Sequence, residues 1–149
     1  MNNTMKAIIY TQYGSPDVIQ FNEVEKPTPK DDEVLIEVHA ASVNAADWHY
    51  LRGTPWLFRL ACGLLKPKNS FLGADVAGRV AAVGKNVTQF HPGDEVFGDL
   101  SACGRGTFAE YVCANESALV LNPANISFEE AAAVPVAAVT ALQGLQSRA

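Results

Sequence analysis

Hydrophobic and polar positions alternate along most of the chain with the period of a β-strand. Residues 5–10 (MKAIIY) read as a first strand. Gly14-Ser15-Pro16 marks a turn, and residues 18–24 suit a returning strand. The clearest strand covers residues 33–43 (EVLIEVHAASV), where Val34, Ile36, Val38 and Ala40 alternate with Leu35, Glu37 and His39. A short helix is expected over residues 44–52, stopped by Gly53. Residues 73–83 form another strand, followed by a turn at Gly84-Lys85-Asn86. His91-Pro92-Gly93-Asp94 puts Pro and Gly at the two central positions favoured in a type II turn. Strand pattern resumes at residues 95–97 and 107–114, with Gly104-Arg105-Gly106 as a loop between them.

The end of the chain reads differently. Ser127 and Glu130 make a capping-box signature before an alanine-rich run. Pro135 breaks that run into two helices, the second over about residues 136–146. Many short strands with regular turns and a helical exit predict a mainly β barrel or sandwich-like unit. Residues 53–71 are the least regular part, with Pro55, Gly63 and Pro67 among large apolar residues. They suit a core-covering loop, a substrate-lining loop or, with Arg52, Arg59, Lys66 and Lys68 nearby, a membrane-surface element.

Composition narrows the function classes. The 149 residues are 48% hydrophobic and 18% charged, with a net charge of -5. A net negative chain with scattered charges argues against nucleic acid as partner. Three widely spaced cysteines do not form a disulfide framework, and no secretory leader pattern is visible. The longest apolar stretch, residues 131–142, is too short to span a bilayer. A cytoplasmic protein without a membrane partner is expected. No strand-G-x-G-x-x-G-helix unit, Walker loop or G-x-S-x-G motif occurs.

Five segments, MKAIIY, EVLIEVHAASVNAADW, LGADVAGRVAAVGKNVTQFHPGDEVFG, GTFAEYV and AAAVPVAAVTALQGL, follow one another across about residues 5–149. In that order they resemble the N-terminal, GroES-like catalytic domain of the medium-chain dehydrogenase/reductase superfamily, in its quinone oxidoreductase branch. The resemblance implies a partly open GroES-like β-barrel over residues 1–126. Residues 127–149 would be helices leading to a Rossmann domain that lies outside this chain, and the chain's end inside a helix reads as a cut. It further implies an NADPH-dependent reductase of quinones or α,β-unsaturated carbonyls, with NADH also possible. The full-length protein would be a homodimer, and this chain alone an inactive monomer.

The zinc enzymes of the superfamily hold metal through positions that here carry Asn44, Ala74 and Val136. Their structural zinc lobe needs four close cysteines, where Cys103 stands alone. An amide, a methyl and an isopropyl group do not replace thiolate and imidazole, so no metal is expected. Asn44 is the first candidate, touching the nicotinamide ribose or the substrate carbonyl, with a turn-capping role as the plain alternative. His49 is the second, as a proton donor, although Ala46 stands where the zinc enzymes' relay hydroxyl would be. Thr140 is implied near the nicotinamide. Trp56 and Phe71 are candidate walls of the substrate pocket or ordinary core. Asp47 is expected to pair with Arg52 or fix the helix start, and Asp75 to orient the pocket. A non-enzymatic binding module and, less well supported, a zinc alcohol dehydrogenase remain as other readings.

Overall fold

The computed structural model describes residues 3–147. Strand β1 (Thr4–Tyr10) pairs antiparallel with β2 (Ile19–Glu25) in a two-stranded ribbon. The main sheet has five antiparallel strands: β3 (Glu33–Ala41), β4 (Asp75–Val83), β5 (Glu95–Asp99), β6 (Tyr111–Asn115) and β7 (Leu119–Leu121). Their spatial order is β6-β3-β4-β5-β7. Edge strands β6 and β7 do not pair with each other among the described residues, so the sheet is open and not a closed barrel. Isolated bridges at Ala7–Ala109 and Ile9–Phe71 tie the ribbon to the loops beside the sheet.

The alternation read in residues 33–43 is only half of the pattern. Val34, Leu35 and Ile36 are all buried, so both faces are covered at this end. One face meets the main core, where Val34, Ile36, Val76, Val96, Leu100 and Val112 pack together. The opposite face of the sheet is covered further along by helix α3 (Phe128–Ala132), whose Ala131 and Ala132 pack on Ala77. Small residues at that seam let the helix backbone approach the strand closely. Gly78 serves the same end within the sheet, where a Cβ would lie 2.1 Å from the Glu37 carbonyl oxygen. The β3–β4 register slips beside it, between Val38 and Ala40.

Helix α1 (Ala45–Arg52) ends at Gly53 in the left-handed region, φ 60°, as the sequence suggests. The 91–94 turn also forms, with Gly93 at φ 99° and the Asp94 N–H donating to the His91 carbonyl. The Ser127–Glu130 capping box closes with bonds of 2.8 and 3.2 Å. Helix α4 (Pro135–Gln146) follows. Two expectations need correction. Residues 107–110 are a connector, not strand, because only Ala109 bridges the ribbon there. Strand β7 went unread, since three residues are too few to show a period.

Cys113, on β6, is half-buried. Burial pushes its thiol up from 9.0 to about 11, and the neighbouring Glu33 adds to the rise. The folded chain therefore keeps this proton after the unfolded chain has lost it. The contribution to stability is whole below the unfolded value and declines as pH rises from 9.0 to about 11. Cys113→Ala is expected to flatten that alkaline decline in a pH series of urea melts. An unchanged slope contradicts the assignment.

Candidate functional site

The end of β3, the start of β4 and the N-termini of α1 and α4 converge on one buried carboxyl group. Asp75 is 0% exposed. Its Oδ2 accepts from the Ser42 hydroxyl at 2.7 Å and from Asn44 Nδ2 at 3.1 Å. Its Oδ1 accepts from the backbone N–H of Val136 at 3.1 Å. Pro135 opens α4, and the preceding Val134 offers no side-chain cap. Asp75 thus caps α4 from 61 residues away in sequence, at the helix end that favours a carboxyl oxygen.

Asn44 sits at the N-cap of α1 in extended conformation. Its Nδ2 also donates to Ser42 Oγ at 3.1 Å. Ser42 Oγ and Asp75 Oδ2 are themselves only 2.7 Å apart, so they share one amide hydrogen and leave the second unengaged, while the Asn44 side-chain oxygen faces Asp47 across the capping box of α1. That oxygen accepts hydrogen bonds and cannot donate one. Both chemistries open from sequence fit this geometry: the unengaged amide hydrogen suits a substrate carbonyl, and the oxygen suits a hydroxyl such as a ribose hydroxyl.

Asp47 is buried beneath the same helix end. Its Oδ2 accepts from the Asn44 N–H at 2.8 Å and its Oδ1 from the Gly73 N–H at 3.0 Å. It fixes the helix start and joins α1 to the segment that enters β4. It does not pair with Arg52, whose guanidinium lies over the Trp48 ring at 5.1 Å.

His49 is exposed on α1, with Nδ1 2.9 Å from the Thr54 carbonyl oxygen. A carbonyl only accepts, so Nδ1 carries a hydrogen and Nε2 is the nitrogen open to a proton relay. His49 lines a cavity of about 250 Å³ with Ala46, Tyr50, Thr54, Pro55 and Phe58. Phe71 lines a different one, of about 260 Å³, with Met5, Pro27, Arg105, Tyr111 and Val112 among its walls. Trp56 is 64% exposed. Thr140 is exposed on α4, one helical turn beyond Val136. The structure therefore gathers Asn44, Asp75 and the start of α4, with Asp47 bracing them. It does not bring Phe71 to that cluster or to the His49 cavity.

Sequence reasoning missed Ser42 and the Val136 N–H. Ser42 lies two residues before Asn44 and could have been suspected as its partner. The Val136 N–H carries no signal in the sequence.

Residues 30–124 match the model of the alcohol dehydrogenase GroES-like domain. The chain is 40% identical over 142 residues to a chloroplastic quinone-oxidoreductase homolog of Spinacia oleracea, covering 95% of this chain and 42% of that protein. It is 37% identical over 148 residues to a chloroplastic NADPH-dependent alkenal/one oxidoreductase of Arabidopsis thaliana, covering 95% and 37%. Among solved structures, the quinone oxidoreductase from Coxiella burnetii superposes with a TM-score of 0.86 at 34% identity, covering 97% of this chain and 45% of that one. The chain thus spans about two fifths of the length of the curated relatives it matches. With the family model covering most of it and these relatives aligned almost end to end, the chain belongs to the alcohol dehydrogenase GroES-like domain family, in the quinone oxidoreductase branch of the medium-chain dehydrogenase/reductase superfamily.

Proposed function

We propose that this chain is the substrate-side part of a zinc-independent, NADPH-dependent reductase of quinones or α,β-unsaturated carbonyls. The observation that carries the reading is the Ser42–Asn44–Asp75–Val136 cluster, built where a zinc enzyme of the superfamily would place metal ligands. The Asn44 amide is held by Ser42 and Asp75, Ala74 is a buried methyl, and the Val136 N–H holds Asp75. These groups do not fit a tetrahedral zinc site. They do fit the nicotinamide end of a dinucleotide. The Asn44 oxygen would accept from the ribose, and the exposed Thr140 hydroxyl would face the ring from α4. When bound, the dinucleotide supplies the hydride.

The chain's own residues orient and exclude water. Asp75 and Asp47 hold Asn44 so that its oxygen points in one direction, which is the positioning such chemistry needs. Without a metal, polarisation of the acceptor oxygen falls to hydrogen-bond donors. His49, which lines the cavity with Ala46 and Phe58, would relay the proton to the reduced product through Nε2. Trp56 takes no part in this site, since its side chain is 64% exposed and does not line that cavity. Phe71 is left out of this site, because its cavity is a separate one.

Helix α4 supports a nucleotide-binding domain beyond this chain. Val139, Leu142 and Leu145 are 49–74% exposed on it, an apolar surface that such a domain would cover. Helices α3 and α4 would then be the passage between domains, and the assembled enzyme a dimer through the second domain. Free Cys62, Cys103 and Cys113 suit a reducing compartment such as the cytoplasm. The test mixes the full-length protein with NADPH and a panel of quinones and enones. Oxidation of NADPH with at least one class is expected; none above background overturns the reading.

A further inference from the structure

Residues 48–74 contain four basic residues and no acidic one, in a chain whose net charge is -5. The acids on either side, Asp47 and Asp75, are both buried. Within this stretch a 3-10 turn (Trp56–Phe58) runs directly into α2 (Arg59–Cys62), making one short helical segment. Its phase is inverted relative to an ordinary surface helix. Trp56, Leu57, Leu60 and Ala61 all face solvent. The polar member, Arg59, is turned inward: its Nε donates to the Gly53 carbonyl, its Nη2 to the Arg52 carbonyl, and its guanidinium lies over the Tyr13 ring at 4.5 Å. Phe58 packs on Tyr50 behind it.

Gly63 then ends the helix, and the outward apolar surface continues. Leu64 is 54% exposed and Leu65 89%. Five large apolar side chains are thus open to water within ten residues, with Lys66 and Lys68 exposed on one flank and Arg52 on the other. Isolated exposed leucines need no explanation, but a cluster of this kind marks a docking surface. The missing carboxylates and the cationic rim select the partner. A protein partner's apolar pocket would not require an acid-free surround, whereas an anionic bilayer does.

We propose that this segment is an interfacial membrane anchor: Trp56, Leu57, Leu60 and Leu65 enter the outer hydrocarbon boundary of an anionic bilayer while Arg52, Lys66 and Lys68 meet its phosphates. The inference stands independently of the reductase reading. It reverses the expectation, drawn from composition, that no membrane takes part. No helix among the described residues is long and apolar enough to cross a bilayer. Surface binding of this kind needs both the apolar insertion and the charge.

Vesicle flotation tests it with the 149-residue chain. Phosphatidylcholine vesicles containing a third of phosphatidylglycerol are expected to carry the protein to the top of the gradient. Pure phosphatidylcholine vesicles and high salt are expected to leave it behind. The double variant Leu60→Asp/Leu65→Asp should lose flotation while keeping the parent's urea midpoint, because both side chains are exposed. Lys66→Glu/Lys68→Glu should weaken partitioning by about fivefold or more per charge. Absence of flotation with anionic vesicles overturns the proposal. Flotation unaltered in the leucine variant does so as well, as does a solution dimer that the leucine variant dissociates.

Discussion

Replacing Asp75 by alanine is expected to lower the unfolding free energy by about 3–4 kcal/mol, since three donors lose their acceptor inside the protein. The donors are the Ser42 hydroxyl, the Asn44 amide and the Val136 N–H. At this depth water does not replace the lost oxygen atoms, because Asp75 has no exposed surface. The loss is not local. The three donors belong to the end of β3, the cap of α1 and the first turn of α4, so one carboxyl joins elements that are far apart in sequence. α4 is the most affected, because Pro135 and Val134 leave its first free N–H to Asp75 alone. A fall in Tm of about 10 °C is the expected reading in a thermal melt. Asp75→Asn keeps the shape and one accepting oxygen, and should recover about half of the loss. An alanine variant within about 0.5 kcal/mol of the parent would show that the cluster contributes nothing to the fold.

The second large effect is on activity. Asn44→Ala in the full-length protein is expected to lower kcat/KM for NADPH-dependent reduction about a hundredfold, the scale of a misplaced reacting group. Ser42 and Asp75 hold the amide in place, so its outward hydrogen-bonding atoms are what a nucleotide or substrate would meet. Alanine removes those atoms and also frees Ser42 and Asp75 to rearrange. The variant should remain folded, since α1 retains its other N-terminal tie, from the Asp47 side chain to the backbone N–H of residue 44. A kcat/KM within threefold of the parent would leave Asn44 as a structural cap and nothing more.

Local features of the fold were legible in the sequence where the signal is itself local. The strand over residues 33–43 showed its alternation, Gly53 marked the end of α1, and the Ser127/Glu130 pair marked the start of α3. Burial on both faces at Val34, Leu35 and Ile36 was not legible, because it depends on elements that arrive later in the chain. The same reason hid the centre of the site. Asn44 and Asp75 could each be named from their motifs. That they share a hydrogen bond, with Ser42 and the start of α4 on the same carboxyl, is a product of folding. Residues 53–71 show the limit most plainly. Their composition admitted a core cover, a pocket wall or a membrane surface. Only the phase of the helix, with Arg59 inward and Leu57 and Leu60 outward, separates these.

The metal positions are the point on which the functional reading turns. Asn44, Ala74 and Val136 take part in hydrogen bonding and packing, and the proposed function assigns no metal to them. The most direct measurement is NADPH oxidation by the full-length protein, with a quinone or enone acceptor, before and after exhaustive treatment with a strong zinc chelator. The expected result is an unchanged rate with substoichiometric zinc in the treated protein. A rate that collapses on chelation and returns when Zn²⁺ is restored would contradict it.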